Sequence, residues 1–249
     1  MNKKTTEELV SQKPILKISE LHKRYNEGKS NEVHALQGIN LTINQGDMMA
    51  IMGSSGCGKT TLLNMIGHLD RRSSGEIVIN DVATSTLSDA QMTAFRRDNI
   101  GFIFQLFNLF PFLSAVENVE TPLLLSGVNS GLAREQAKML LRELGMGDRL
   151  YHLPTELSGG QQQRVAVARA LINDPAIILG DEPTGDLDSK TSTDVMSLFR
   201  RINRINRQTL ILVTHSRWIA EQCDYIVHMT DGKISTIEQG PFEVKERKQ

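Results

Sequence analysis

The stretch MMAIMGSSGCGKTTLLNMIGHL at residues 48–69 decides the fold of this chain. It opens with a continuous apolar run, which is typical of a strand buried on both faces, and it closes with a helical pattern. Between them, residues 53–60 match GxxxxGK[ST], in the strand-to-helix context that a phosphate-binding loop requires. Such a loop turns successive backbone N–H groups toward phosphate oxygens at a helix N-terminus. We therefore predict a phosphate site here, the alternative being a flexible Gly/Ser turn.

Three side chains bear on the chemistry of this loop. Lys59 supplies positive charge, and the Thr60 hydroxyl can coordinate Mg²⁺. Cys57 is either a thiolate favoured by Lys59 and the loop N–H groups or a small residue that fills space. The residues that we assign to the phosphate site in this segment are Gly53, Ser54, Ser55, Gly56, Cys57, Gly58, Lys59, Thr60 and Thr61.

A second candidate site follows the apolar run at residues 176–179. Asp181 and Glu182 come just after it, where a parallel sheet presents groups to a ligand. Asp181 is suited to hold Mg²⁺ through water, and Glu182 to polarise an attacking water as a general base. The alternative is a pair of ordinary exposed loop acids.

The pattern of the remaining segments indicates an α/β fold. Residues 39–44 alternate between apolar and polar, as in a half-buried strand. A helical stretch at about 189–204 separates the apolar runs at 176–179 and 209–213. Strand, helix and strand in this order predict a parallel sheet.

The domain organisation predicted from these patterns is a single domain at residues 15–240 between polar tails at 1–14 and 241–249. From about residue 88 the pattern is mostly helical, and we place a helical subdomain at about 88–164. Near the end, the Asp231-Gly232 pair between apolar segments predicts a hairpin.

The composition narrows the classes of partner. The 249 residues include 28 Lys plus Arg and 29 Asp plus Glu, and a net charge of −1 gives no general electrostatic reason to bind nucleic acid or anionic lipid. Two cysteines are too few for a disulfide framework and favour the cytosol. No run approaches the roughly 18 apolar residues that span a bilayer. We expect any membrane role to come through a partner.

The pentapeptide LSGGQ at residues 157–161 is the most specific motif in the chain, and with it the sequence resembles the ATP-binding cassette (ABC) ATPases over about residues 15–235. The resemblance implies ATP and Mg²⁺ as ligands. It also implies a P-loop NTPase (RecA-like) parallel-sheet core, an antiparallel β subdomain and an α-helical insert that carries this signature motif.

A glycine-rich segment at a helix start offers N–H groups, a hydroxyl and the helix dipole to a γ-phosphate. The family implies that this clamp acts on the nucleotide of another subunit, so that a homodimer sandwiches two ATP molecules. The clamp residues are Leu157, Ser158, Gly159, Gly160 and Gln161.

Further positions follow the order of the family's motifs. Tyr25 resembles the aromatic residue that stacks on adenine, and Gln105 the glutamine that reaches Mg²⁺ and the attacking water. His215 resembles the switch histidine, which would contact the γ-phosphate and hold Glu182 and water in line. The alternatives are a core aromatic for Tyr25 and a structural role for His215.

Asp186 and Asp188 lie in GDLD at residues 185–188, which resembles the D-loop that orders the dimer seam; a plain surface acid is the alternative for Asp188. Together, the motifs imply catalytic roles for Glu182, His215 and Gln105 and a metal site made by Thr60, Gln105 and Asp181, partly through water.

Five of the eight phenylalanines fall in the segment FIFQLFNLFPF. We assign Phe102 and Phe104 to the core. Phe107, Phe110 and Phe112 follow the strand, and we expect them to line an apolar groove that receives a short helix from a membrane subunit. The alternative is that all five are core residues.

Longer stretches resemble the macrolide-export and lipoprotein-release (MacB/LolD) subfamily. The resemblance implies a membrane permease with a large extracytoplasmic domain as partner, with a periplasmic adaptor as a further candidate, at the cytoplasmic face of the bacterial inner membrane. The output would be export, lipid or lipoprotein extraction, or mechanical signalling. The alternatives are a soluble ABC ATPase acting on ribosomes or DNA, the ATPase of an importer, and a degenerate nucleotide-binding regulator, which Glu182 and His215 oppose.

Overall fold

The computed structural model describes residues 13–241. The predicted polar tails lie outside this range except for residues 13, 14 and 241, and the first strand already begins at Pro14. The ten strands in the described range are β1 (Pro14–Tyr25), β2 (Val33–Asn44), β3 (Met48–Gly53), β4 (Ser74–Ile79), β5 (Val82–Ala83), β6 (Ile100–Ile103), β7 (Ile177–Asp181), β8 (Thr209–Val213), β9 (Tyr225–Thr230) and β10 (Lys233–Gln239). The seven α-helices in the same range are α1 (Lys59–Ile66), α2 (Asp89–Asn99), α3 (Ala115–Leu125), α4 (Ser130–Glu143), α5 (Gly159–Leu171), α6 (Ser189–Asn206) and α7 (Arg217–Ala220).

The larger sheet contains the predicted parallel strands, in the order β10-β9-β3-β8-β7-β6. Strands β9, β3, β8, β7 and β6 run parallel, and β10 joins the edge antiparallel. Strand β8 coincides with the predicted run at 209–213, and β7 begins one residue into the run at 176–179. Because these strands are parallel, the carboxyl ends of β3, β8 and β7 meet at one edge of the sheet.

The smaller sheet is antiparallel and has the order β2-β1-β4-β5. The alternation predicted at residues 39–44 is present in β2, where Ile39, Leu41 and Ile43 are buried while Asn40 and Thr42 are exposed. One face of this sheet is therefore apolar and packs inside the molecule.

The larger sheet is buried on both faces. In β3, Met48 and Ala50 belong to one hydrophobic cluster, whereas Met49 and Ile51 belong to another. Successive side chains of a strand point to opposite faces, so a continuous apolar run serves two cores at once. The first cluster is completed by α3 to α6, and the second by α1 and the smaller sheet.

Helices α3, α4 and α5 pack on one another and cover the first cluster. The segment predicted as a helical subdomain, about 88–164, also contains α2 and β6, and β6 pairs with β7 in the larger sheet. Helix α5 continues beyond that segment to Leu171. None of the helices within residues 13–241 combines the length and the apolar character needed to cross a bilayer.

The predicted hairpin joins β9 to β10 and also ties the two sheets together. Asp231 and Gly232 both have positive φ, +48° and +73°, as a tight hairpin turn requires. The Gly232 N–H donates to the Cys57 carbonyl at 3.0 Å, and the Gly232 carbonyl accepts from the Gln37 N–H at 2.9 Å. The turn thus bridges the phosphate loop and β2.

Gly232→Ala is expected to lower the free energy of unfolding by about 3 kcal/mol, because a Cβ would lie 2.7 Å from the Ala35 carbonyl oxygen on a backbone that side chains rarely adopt. Gly127→Ala is the matched control. It has a φ of +82° but no atom within 4 Å of the added Cβ, so backbone strain of about 1 to 2 kcal/mol is its only cost. Urea unfolding measures both losses, and equal losses would contradict this account of the turn.

Candidate active site

A cavity of about 590 Å³ lies at the carboxyl edge of the parallel strands. It collects the phosphate loop, the ends of β7 and β8, the first part of β2 and the β9–β10 turn. The residues that line it are Val33, His34, Ala35, Gln37, Gly53, Ser55, Gly56, Gly58, Lys59, Thr60, Thr61, Asp181, Glu182, Val213, His215, Asp231 and Gly232. The two separate motifs found in the sequence therefore share one site.

The phosphate loop leads from β3 into α1. Gly58 precedes the helix with a φ of +102°, and a Cβ there would lie 2.5 Å from the Ala35 carbonyl oxygen, so only glycine fits. The Lys59 ammonium donates to the carbonyl oxygens of Gly53 at 2.9 Å and Ser54 at 2.8 Å. Its charge is thereby held over the loop, beside the N–H groups of the first helical turn.

Cys57 is 3% exposed and packs in the second hydrophobic cluster, with its Sγ 3.9 Å from the Lys59 ammonium. This placement supports the interpretation of Cys57 as a space-filling residue. Its carbonyl accepts the hydrogen bond from the hairpin turn described above.

Asp181 ends β7 and faces the phosphate loop. The Thr60 hydroxyl donates to Asp181 Oδ1 at 3.4 Å. Burial raises the pKa of Asp181, and the neighbouring charge of Glu182 raises it further. The Thr60 hydroxyl and the Asp181 carboxylate are oxygen donors of the kind that Mg²⁺ prefers when it binds together with phosphate oxygens. A cation there would also offset the negative charge of the neighbouring Glu182.

Glu182 is held by the segment that follows β8. Its Oε1 accepts from the His215 backbone N–H at 2.9 Å and from the His215 ring at Nδ1, 2.7 Å away, while Oε2 accepts from the Thr214 hydroxyl at 3.2 Å. Since an ionised carboxylate only accepts, Nδ1 carries the proton in this contact. The backbone of Glu182 has a φ of +45°, and its N–H donates to Val213. The carboxylate is thus oriented from several directions.

Gln105 lies outside the lining of the cavity, and its amide donates to Asp186 Oδ1 at 3.3 Å. The structure therefore places Gln105 against the predicted D-loop and does not bring it to Thr60 and Asp181. Asp188 caps α6, since Oδ1 accepts from the N–H groups of Lys190 and Thr191 at 3.0 Å each. An aspartate directly before a helical pattern is the sequence signal for this N-cap role.

The predicted clamp forms the start of α5, and none of its residues lines the cavity. Ser158 is its N-cap, and the Ser158 hydroxyl accepts from the Gln161 N–H at 3.4 Å while the Gln161 side chain accepts from the Ser158 N–H at 3.0 Å. Ser158 is exposed, Leu157 is buried, and neither lines the cavity. Within this chain the two glycine-rich helix starts do not meet.

Tyr25, at the end of β1, is paired across the sheet with Val33, which lines the cavity. Its hydroxyl donates to Asp70 at 2.9 Å. No local sequence pattern predicts the cavity residues from β2 and the β9–β10 turn, because contacts between such distant segments leave no local signal. These residues are Val33, His34, Ala35, Gln37, Asp231 and Gly232.

Comparison with known proteins shows which family shares these features. Residues 36–185 match the family model described as ABC transporter. An uncharacterized ABC transporter ATP-binding protein of Thermotoga maritima is 43% identical, over 91% of this chain and 96% of its own length. The lipoprotein-releasing system ATP-binding protein LolD of Xanthomonas oryzae pv. oryzae is 44% identical, over 88% of this chain and 90% of its own length.

Two further similarities add detail. The macrolide export ATP-binding/permease protein MacB of Hyphomonas neptunium is 45% identical over 89% of this chain, which corresponds to 34% of that longer protein. A solved structure, the dimeric post-hydrolysis state of the ATP-binding cassette MJ0796 bound to ADP and Pi, superposes with a TM-score of 0.82. It is 41% identical and covers 92% of this chain and 100% of its own.

Asp181→Asn is expected to leave the nucleotide-free protein at least as stable as the parent. Because the folded state raises the pKa of Asp181, ionisation at a pH above that pKa costs stability, and asparagine carries no such cost. The Mg²⁺ concentration needed for half of the thermal stabilisation by ATP should rise by about tenfold or more. In the parent that concentration should also rise as pH falls toward the raised pKa. Thermal shift assays measure the stability, the Mg²⁺ requirement of the variant and the pH dependence of the parent. The control is Asp89→Asn, which changes an exposed acid paired with Arg71. An unchanged Mg²⁺ requirement in Asp181→Asn would exclude Asp181 as a ligand.

Proposed function

This chain belongs to the ABC transporter family and is an ATP-binding and ATP-hydrolysing cassette, and on that basis we propose the role of each site residue in ATP binding and hydrolysis. The cavity carries the proposal: it gathers the phosphate loop, Asp181, Glu182 and His215 at one edge of one sheet. The backbone N–H groups of the loop and Lys59 bind the ATP phosphates, and Tyr25 stacks on adenine.

Glu182 is the general base in this proposal. Its carboxylate takes a proton from the water that attacks the γ-phosphorus, and ADP leaves with the bridging oxygen. His215 orients this carboxylate through its ring and its backbone N–H, and the Thr214 hydroxyl holds the other oxygen. These contacts align the carboxylate of Glu182 with the attacking water.

Mg²⁺ is the proposed metal cofactor, with Thr60 and Asp181 as the residues that hold it, Asp181 partly through water. When bound, the cation neutralises charge that develops on the phosphate oxygens. Gln105 is the third proposed ligand. To act there, its amide must exchange the contact with Asp186 for the cavity.

A second copy of the chain completes the site in our proposal. Residues 157–161 do not line the cavity of their own chain, and a helix start such as theirs offers N–H groups that suit a γ-phosphate. Two chains facing each other would each supply this clamp to the other's ATP, with the D-loop residues Asp186 and Asp188 at the seam. The dimeric form of MJ0796 supports this arrangement.

Glu182→Gln should bind ATP with nearly the parent affinity yet hydrolyse it at least about 100-fold more slowly, because the amide keeps the shape of the side chain but cannot accept the proton. Glu221→Gln, which changes a half-exposed acid in the turn after α7, should hydrolyse ATP at the parent rate. Phosphate release and equilibrium binding measure the two quantities. Parent-like turnover in Glu182→Gln would exclude it as the base.

The aromatic loop, residues 104–114, is the proposed contact with a membrane partner. Phe110 is 50% exposed, Phe112 90% and the neighbouring Leu106 74%, whereas Phe107 is only partly exposed. Phe102 and Phe104 are also partly buried, and they stack on each other with ring centres 5.6 Å apart. Such an exposed apolar surface suits the apolar face of a short helix.

Asn118 holds this loop in place from beneath. It is fully buried, accepts from the Phe110 N–H at 2.8 Å, and donates to the carbonyls of Phe110, Leu113 and Ser114 at 2.8 to 3.1 Å. The surface is therefore preorganised, which lowers the ordering cost of binding.

The partner we propose is a permease with a large extracytoplasmic domain, with a periplasmic adaptor as an additional component, and the cassette is bound to it at the cytoplasmic face of the inner membrane. The similarity to proteins named for lipoprotein release and macrolide export supports export, extraction or mechanical signalling as the output. A soluble cassette acting on ribosomes or DNA and an importer ATPase are not favoured by these relatives.

Phe110→Asp should abolish assembly with the membrane partner while ATP binding by the isolated subunit stays within about twofold of the parent, because the charge disrupts only the apolar contact. Ile205→Asp, at a 72% exposed apolar residue on α6, is the matched control and should assemble normally. Co-purification from solubilised membranes measures assembly. If Phe110→Asp assembles fully, the aromatic loop is not the docking surface.

A further inference from the structure

The side chain of Tyr25 is held by an ion pair that the proposed hydrolysis does not use. The Tyr25 hydroxyl donates to Asp70 Oδ2 at 2.9 Å, and Asp70 Oδ1 accepts from the Lys23 ammonium at 2.8 Å. The same ammonium lies 4.6 Å from the centre of the Tyr25 ring, within the range of a cation–π contact. One carboxylate thus fixes both the hydroxyl of the ring and the cation above it.

The burial of Lys23 makes this arrangement rigid. Lys23 is 8% exposed, and its ammonium also donates to the Arg71 carbonyl at 2.6 Å. A buried ammonium is costly unless it is fully paired, so it cannot leave these partners freely. Lys23 and Tyr25 are two residues apart on β1 and therefore share a face of the strand.

The protonation states agree with this geometry. Burial raises the pKa of Tyr25, and the hydrogen bond to Asp70 raises it further. Burial alone would raise the pKa of Asp70, but the hydrogen bonds from Lys23 and Tyr25 outweigh it and lower that pKa. Near neutral pH the phenol is therefore a donor and Asp70 an acceptor.

The Lys23 ammonium lies over one face of the ring, and Tyr25 as a whole is 37% exposed. Tyr25 lies opposite Val33 in the β1–β2 pairing, and Val33 lines the nucleotide cavity. The Tyr25 hydroxyl also interacts with Thr61, on α1, which lines the same cavity. The ring is thus fixed beside two residues that line the cavity, Val33 and Thr61.

We propose that Lys23 and Asp70 are positioning residues that hold Tyr25 as a one-faced platform for the adenine base of ATP. The inference rests on the proposed stacking of Tyr25 on adenine and adds the two residues that set its orientation. A ring already fixed in place loses little freedom when the base stacks on it, so the pair raises affinity for the nucleoside part of ATP and leaves the phosphate contacts unchanged.

The test compares ATP with inorganic tripolyphosphate, which has phosphates but no base. Calorimetric titrations of the full chain in EDTA, where no hydrolysis occurs, measure both affinities. Tyr25→Ala should weaken ATP binding by about tenfold or more, as expected for loss of one stacked base. Lys23→Met and Asp70→Asn should each weaken it by about three- to tenfold, and tripolyphosphate affinity should change by less than about twofold in all three.

Lys13→Met is the matched control. It removes a lysine just before β1 that pairs at 2.6 Å with Asp81, which lies between β4 and β5. Both of these side chains are more than half exposed, and the pair holds no aromatic ring. Its affinities for both ligands should equal those of the parent. Tyr25→Phe provides a second test should Lys23→Met not fold, because it keeps the ring and removes only the hydroxyl, with its contacts to Asp70 and Thr61. It should weaken the binding of ATP alone, by about two- to threefold.

The outcomes distinguish a failure of the positioning role from a failure of the proposed stacking of Tyr25 on adenine. If Tyr25→Ala weakens ATP binding but Lys23→Met, Asp70→Asn and Tyr25→Phe do not, stacking holds and the positioning role is wrong. If Tyr25→Ala leaves ATP affinity unchanged, the stacking itself is wrong. If the variants weaken ATP and tripolyphosphate equally, the ion pair supports only the fold of the site, and the inference is again overturned.

Discussion

Burial of the larger sheet on both faces is the constraint on which the rest of this structure depends. With helices on one face and the smaller sheet on the other, β3, β7 and β8 can present polar groups only at their ends. The polar groups at the carboxyl ends are the phosphate loop at the end of β3, Asp181 and Glu182 at the end of β7, and Thr214-His215 after β8. Because β8 lies between β3 and β7, the groups that follow the three strands become neighbours.

The smaller sheet contributes to the site as much as the parallel core does. The Ala35 carbonyl on β2 lies so close to Gly58 and Gly232 that a Cβ on either would come within 2.5 to 2.7 Å of it. Two turns from different parts of the chain are thereby pressed against one carbonyl group. The phosphate loop keeps its shape through contacts outside its own motif.

The sequence was sufficient to predict what is encoded locally. The family and the α/β fold are confirmed, and the apolar run at 209–213 and the Asp231-Gly232 turn form the predicted strand and hairpin, since each rests on neighbouring residues. Contacts such as Gln37 with Asp231, which are 194 residues apart, have no local signal. For the same reason, the contact of Gln105 with Asp186 could not be foreseen, and the assigned roles of the site residues stay predictions.

The two glycine-rich helix starts differ in how their donors are used. At α1 the helix begins at Lys59, whose ammonium is held by loop carbonyls inside the cavity. At α5 the Ser158 hydroxyl takes up the Gln161 N–H in a reciprocal cap, at a long 3.4 Å. Only the N–H of Gln161 is engaged by that hydroxyl, and the N–H groups of Gly159 and Gly160 have no partner within the helix. The cap therefore stabilises α5 in a single chain, and the proposed clamp between two chains would use the N–H groups of the first turn that this cap does not engage.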